Sequence, residues 1–198
     1  MAAPPPPPPP PENFRSKVSP FVQKLRTTPL DWYYKAPKSP PPVDFLAPPT
    51  GPYFFYGTLT DPCMIAEILG LDHEPELRPA YIVGYECKLW GQYPALLDAS
   101  DSIVKGAAYH VSTVEDGEKL AAYETRNYRT ERCWINYMDE EEPSREIGST
   151  FKFVGDPSDL SEGQFDLKVW LKHMGRTAAL EKLEAKVRID VPKTGNVI

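Results

Sequence analysis

Apolar and polar positions change their rhythm several times along the chain, and each change marks a predicted element. From Pro52 an apolar run, "YFFYG", reads as a short buried strand. Asp61 and Pro62 then supply an N-cap and a proline for the first helical position. The following "PCMIAEIL" sets Ile65, Ile68 and Leu69 on one helical face and stops at Gly70. "AYIVGYECKLWG" reads as a strand with Gly84 as a candidate bulge. "YPALLDA" reads as a loop running into a short strand, and "IVKGAAYHV" as another strand. Ser112 and Glu115 stand in capping-box spacing at the start of "STVEDGEKLAAYE", a predicted helix that buries Leu120 and Tyr123 and ends near Glu124. "YRTERCWINYM" is rich in β-formers, "DEEEPSREIGS" is an acidic, turn-rich connection, and "TFKFVG" is a strand. The period then becomes helical again: "GQFDLKVWLKHMG" spaces Phe165, Val169 and Trp170 before Gly175, and "TAALEKLEAKV" predicts a second helix behind it.

The expected class is therefore α+β, a strand-rich core interrupted by two short helices, with C-terminal helices covering one side of the sheet. Composition adds the boundaries. Most of the 24 prolines precede residue 51, including the unbroken run Pro4 to Pro11. Proline has no amide donor and a fixed φ, so residues 1–50 are expected to be a disordered or extended proline-rich arm. Residues 51–176 form the expected domain, and residues 177–198 a C-terminal helix and tail. The arm aside, roughly 145 residues remain, enough for one hydrophobic core.

Charge narrows the partners. A net charge of −6 without a basic stripe argues against a nucleic-acid surface. The start "MAAPPPPPP" has no basic region followed by an apolar one, and no window approaches a membrane span, so a cytoplasmic protein is expected. The run Pro4 to Pro11 suits a proline-recognition partner; a plain spacer is the simpler reading. Cys63, Cys87 and Cys133 show no CxxC pairing, and His73, His110 and His173 are scattered, so neither a metal site nor a disulfide framework is expected.

Two places carry candidate chemistry. In "YGTL", a glycine after an apolar strand lets the backbone turn sharply, and the N–H groups that follow can form an anion-binding concavity. The same pattern also ends many ordinary strands. Glu124 lies at a predicted helix C-terminus, where the dipole disfavours its charge. An apolar setting with Tyr123 and Tyr128 beside it would raise its pKa further and suit it to proton transfer. An ordinary solvated helix-end glutamate is the competing reading. Nucleophile elbows, phosphate loops and zinc-protease motifs are absent from the sequence.

Four segments in one order, "FFYGTLTDP", "LWGQYPALLD", "KGAAYHV" and "LAAYETRNYRTERCWI", resemble the gamma-glutamylcyclotransferase-like (AIG2-like) family over roughly residues 52–155. The resemblance implies a small mixed β-barrel flanked by helices. It also implies a small γ-glutamyl substrate, whose α-amine attacks its own side-chain amide to give 5-oxoproline and a free amine or amino acid. On the matching positions, Tyr56, Gly57, Thr58 and Leu59 form the substrate loop that holds the glutamyl carboxylate. Tyr93, Pro94 and Ala95 form a pocket wall, Glu124 is the general acid/base, and Tyr128 and Arg129 follow it. Nucleophile and electrophile are already joined in the substrate, so freezing one conformer and moving one proton suffices, and no metal or cofactor is expected. Thr125 and Arg126 depart from the family, which often has glycine directly after the glutamate. Two other readings stay open: a catalytically silent binding module recruited through the proline arm, and an enzyme acting on γ-glutamyl amine crosslinks of proteins.

Overall fold

The structure, a computed structural model, describes residues 48–189, with side chains to residue 185. The expectations for the proline arm up to residue 47 and for the tail from residue 190 lie outside the described residues.

The first strand, β1 (Gly51–Phe55), accounts for its own composition. Phe54 points to the barrel interior, among Ile82, Leu96, Val104 and Ile135. Its neighbours Tyr53 and Phe55 point the other way, into a second cluster with Leu59, Ile65, Leu120 and Phe151. A strand packed on both faces has no polar side, hence the unbroken apolar run. The second cluster is roofed by α1 (Pro62–Leu69) and α2 (Val114–Glu124), which contribute Ile65 and Leu120 to it.

Around β1 the sheet closes on itself. The strands β2 (Arg78–Trp90) and β3 (Tyr93–Val111) form a long antiparallel hairpin, paired from Arg78 opposite Ala108 to Trp90 opposite Tyr93. The far end of β3 continues antiparallel onto β1. On its other side β1 runs parallel to β5 (Arg145–Phe153), which pairs antiparallel with β4 (Tyr128–Tyr137). Finally β4 returns to β2, giving a closed five-stranded mixed barrel. A short β6 (Leu160–Ser161) adds to the end of β2. Closure leaves the main strands no open edge to protect. Two helices complete the described residues, α3 (Leu167–His173) and α4 (Thr177–Ile189).

Several expectations hold locally. Asp61 caps α1, its Oδ1 accepting from the Cys63 amide at 3.1 Å, and Gly70 closes the helix at φ +72°. The β2 register shifts between Val83 and Tyr85, where Gly84 predicted a bulge. Gly106 opens its segment for a steric reason: a Cβ there would lie 2.0 Å from the Phe55 carbonyl oxygen, so β3 crosses β1 too closely for any side chain.

Others are corrected. "YPALLDA" is not a loop; it is the start of β3 and is continuous with "IVKGAAYHV". The polar stretch between them sits where the pairing jumps from Tyr85–Asp98 to Val83–Ile103, so partnership with β2 carries the strand through residues of poor β-propensity. The cap of α2 is Thr113, not Ser112: its Oγ1 accepts from the Asp116 amide at 3.1 Å and donates to Asp116 Oδ2 at 2.7 Å. The strand expected at "TFKFVG", β5, begins at Arg145 rather than Thr150, because β4 continues to pair that far. In α3, Asp166 caps the helix, Phe165 falls before it, and Val169 is 65% exposed while Trp170 and Leu171 are buried. The C-terminal helices do not lie on the sheet as a layer; Trp170, Leu171 and Ala179 pack on Met64 of α1. No described helix is long and apolar enough to cross a membrane.

Candidate active site

Where β1 leaves the barrel, its chain turns through Thr58–Thr60, a single helical turn held by Thr60 N–H donating to the Gly57 carbonyl at 3.0 Å. The Thr60 hydroxyl reinforces it, donating to the same carbonyl at 2.6 Å. The first residues of a helical turn have N–H groups with no carbonyl behind them, so the Thr58 and Leu59 amides are the donors this loop can offer a ligand. The neighbouring end of α1 is not such a donor, since Asp61 already occupies it. Gly57 is required by crowding and not by a left-handed backbone: its φ is −126°, and a Cβ would come 2.6 Å from Cγ of Pro94.

This loop borders a cavity of about 210 Å³. Tyr56, Gly57, Thr58, Leu59, Tyr93, Pro94, Glu124 and Tyr128 all line it, brought together from β1, β3, the end of α2 and the start of β4. Ala95 does not line it, although the residue is fully buried. Arg129 is also absent from the wall, its side chain 71% exposed near Glu131.

Among the described residues, Glu124 is the only carboxylate in that lining. Part of the residue is open to the cavity, but protein surrounds the carboxyl on nearly every side, and burial pushes it from the ordinary 4.5 up to about 7. The tyrosines around it are committed elsewhere. Tyr56 donates to the Phe151 carbonyl at 2.6 Å and Tyr128 to the Pro94 carbonyl at 3.0 Å. Burial, and secondarily the charge of Glu124, raises the pKa of both phenols, so they are wall braces rather than proton carriers. Tyr123, expected to be buried, is half-buried and shares a hydrogen bond with Thr58 Oγ1 at 2.8 Å.

Thr125 lines the cavity directly after Glu124, and Trp90 and Phe151, which no motif marks as binding residues, line it as well. A signal existed for Trp90: "WGQY" has glycine at the first position of a two-residue hairpin turn, which makes Trp90 and Tyr93 cross-strand partners. None existed for Phe151, which arrives through the parallel pairing of β5 with β1. Among the described residues, no group of three or more His, Cys, Asp or Glu is gathered as a metal site would need.

A family model described as gamma-glutamyl cyclotransferase, AIG2-like, matches residues 53–167, which contain every residue of this cavity. The chain belongs to that family. Solved structures resemble this gamma-glutamyl cyclotransferase-like chain at low identity. An Arabidopsis thaliana protein solved in solution is 20% identical over 75% of this chain and 97% of its own, with a TM-score of 0.51. A second Arabidopsis thaliana protein is 23% identical over 76% and 98%, at 0.49. A structure named as a gamma-glutamyl cyclotransferase is 9% identical over 76% and 94%, at 0.46. No curated protein matches.

Proposed function

We propose that this protein is a γ-glutamyl cyclotransferase acting on a small γ-glutamyl amide. The observation that carries the reading is a desolvated carboxyl, Glu124, the one carboxylate among the described residues of the lining, facing the same cavity as the Thr58–Leu59 turn whose leading amides can serve as donors. The loop amides suit the glutamyl α-carboxylate. The α-amine then lies within reach of its own δ-carbonyl carbon through a three-carbon tether, so orientation supplies most of what a bimolecular attack would lack.

The new C–N bond closes the five-membered ring, and the bond from the δ-carbon to the departing nitrogen breaks. The α-ammonium gives up two protons in becoming the lactam N–H, one before attack and one after it, and the departing nitrogen takes up two, one to leave as the amine and one, exchanged through water, to become its ammonium. Glu124, with a pKa of about 7, takes the first proton as carboxylate and delivers it to the leaving nitrogen. The products are 5-oxoproline and a free amine, with atoms and charge in balance. A cavity of about 210 Å³ lies below the roughly 300–1,000 Å³ of drug-sized pockets, which favours a small substrate.

The test is a product assay by mass spectrometry on γ-glutamyl amino acids, γ-glutamyl amines and glutathione, with Glu124→Gln alongside. Appearance of 5-oxoproline that the variant fails to make supports the reading. Binding without product would overturn turnover and leave the binding-module alternative.

A further inference from the structure

The cavity is uneven in charge and shape, and this bears on the departing half of the substrate. Among the described residues, its lining includes no Lys, Arg or His. The arginines of the neighbouring elements are engaged or outside: Arg176 is held by Glu67 at 2.6 and 3.0 Å, Arg129 stands exposed beside Glu131, and Arg126 is exposed beyond Thr125. What the cavity has instead is an aromatic wall. Trp90 and Tyr93 face each other across the hairpin tip, and Tyr128 meets Trp90 edge to face with centroids 6.4 Å apart. Phe153 backs Trp90 at 5.9 Å, and the Tyr128 hydroxyl is pinned to Pro94, so the wall is braced from behind.

A γ-glutamyl amino acid brings two carboxylates. The loop amides serve one; the second would enter a desolvated space with no cation among its described lining residues, beside Glu124 and against aromatic faces that are themselves negative. An amide of an aryl-bearing amine brings no second charge and offers a ring to the wall. Resting on the γ-glutamyl reading of this site, we infer that Trp90, Tyr93 and Tyr128 form the leaving-group subsite and select γ-glutamyl amides of aromatic or arylalkyl amines over γ-glutamyl amino acids.

Three compounds that share the γ-glutamyl half test it on the full chain: γ-glutamyl-2-phenylethylamide, γ-glutamylphenylalanine, which adds a carboxylate, and γ-glutamylethylamide, which lacks the ring. The expected kcat/KM for the phenylethylamide exceeds that for γ-glutamylphenylalanine by about tenfold or more. Trp90→Ala is expected to lower the phenylethylamide-to-ethylamide ratio by about 2- to 10-fold, and Trp90→Phe to keep most of it. Calorimetric binding of the same compounds to Glu124→Gln separates the two claims. The same order in binding, with no product from the unsubstituted protein, would support the subsite while overturning turnover. Equal or better kcat/KM and binding for γ-glutamylphenylalanine would overturn the subsite, leave turnover standing and direct attention to Arg126 at the rim. Neither binding nor product from any of the three would overturn both.

Discussion

Thr58 Oγ1 and the Tyr123 hydroxyl lie 2.8 Å apart, which fastens the loop after β1 to the last turn of α2, one residue before Glu124. The contact joins the two halves of the proposed chemistry: backbone donors on one side and the proton carrier on the other. Thr58 is 5% exposed, so water does not readily replace the bond.

Tyr123→Phe is therefore expected to destabilise the protein by about 1 kcal/mol, measured by urea unfolding. Turnover should fall further than stability does, on the order of tenfold in kcat/KM, because loop and glutamate lose their fixed spacing. Thr58→Val removes the same bond from the other end, so the double variant should be less destabilised than the sum of the two single ones. Full additivity would show that the two hydroxyls do not act on each other.

Gly57 is expected to resist even alanine. The added Cβ would fall 2.6 Å from Cγ of Pro94, inside any real contact distance, and the pocket wall must shift to accept it. Gly57→Ala should cost about 1–3 kcal/mol as overpacking. The obstacle is one side chain, so in a Pro94→Ala background the same substitution should cost measurably less. A Gly57→Ala penalty unchanged by Pro94→Ala would locate the strain in the backbone instead.

Gly57 also shows what the sequence can and cannot convey. Its place after an apolar run was legible, because turns need glycine for several reasons; which reason applied was not, since Pro94 is 37 residues away and meets it only through the fold. The helices α1 and α2 were legible from local chemistry: Asp61, Pro62 and Gly70 around one, and a cap within one residue of the other. The 19-residue β3 was not, because its middle is polar and its continuity comes from β2. Glu124 could be named from its motif, yet its desolvation depends on walls drawn from β1, β3 and β4.

The desolvation of Glu124 has a sign that can be tested. Its folded pKa, about 7, lies above the ordinary 4.5, so between these values the native state binds more protons than the unfolded chain. Its contribution to stability is then fully present below about pH 4.5 and is lost as pH rises through about 7. Glu124→Gln has no such dependence. The variant should gain stability relative to the unsubstituted protein as pH rises from 5 to 8, in urea unfolding at matched ionic strength. Its rate of 5-oxoproline formation should meanwhile fall by about 10²–10⁴. A stability difference flat in pH would place the carboxyl in water.

Thr125 supplies the last expectation. It follows Glu124 at φ +68° and ψ −175°, a region that only glycine occupies without strain, and it is a β-branched residue. Its side chain offers little in return: Oγ1 accepts a long bond, 3.4 Å, from the Asn127 amide. Strain of about 1–3 kcal/mol is expected there, against about 0.5–1 kcal/mol of extra unfolded-state entropy for glycine. Thr125→Gly should then stabilise the protein by about 1 kcal/mol, whereas Thr125→Ala, which keeps a Cβ, should change stability much less. If alanine stabilises as much as glycine in urea unfolding, the backbone is not strained, and removing the hydroxyl or the branched carbon is what matters. If only glycine does, the chain tolerates a strained turn to hold Glu124 over the cavity, and a threonine at its rim is kept at a measurable cost in stability.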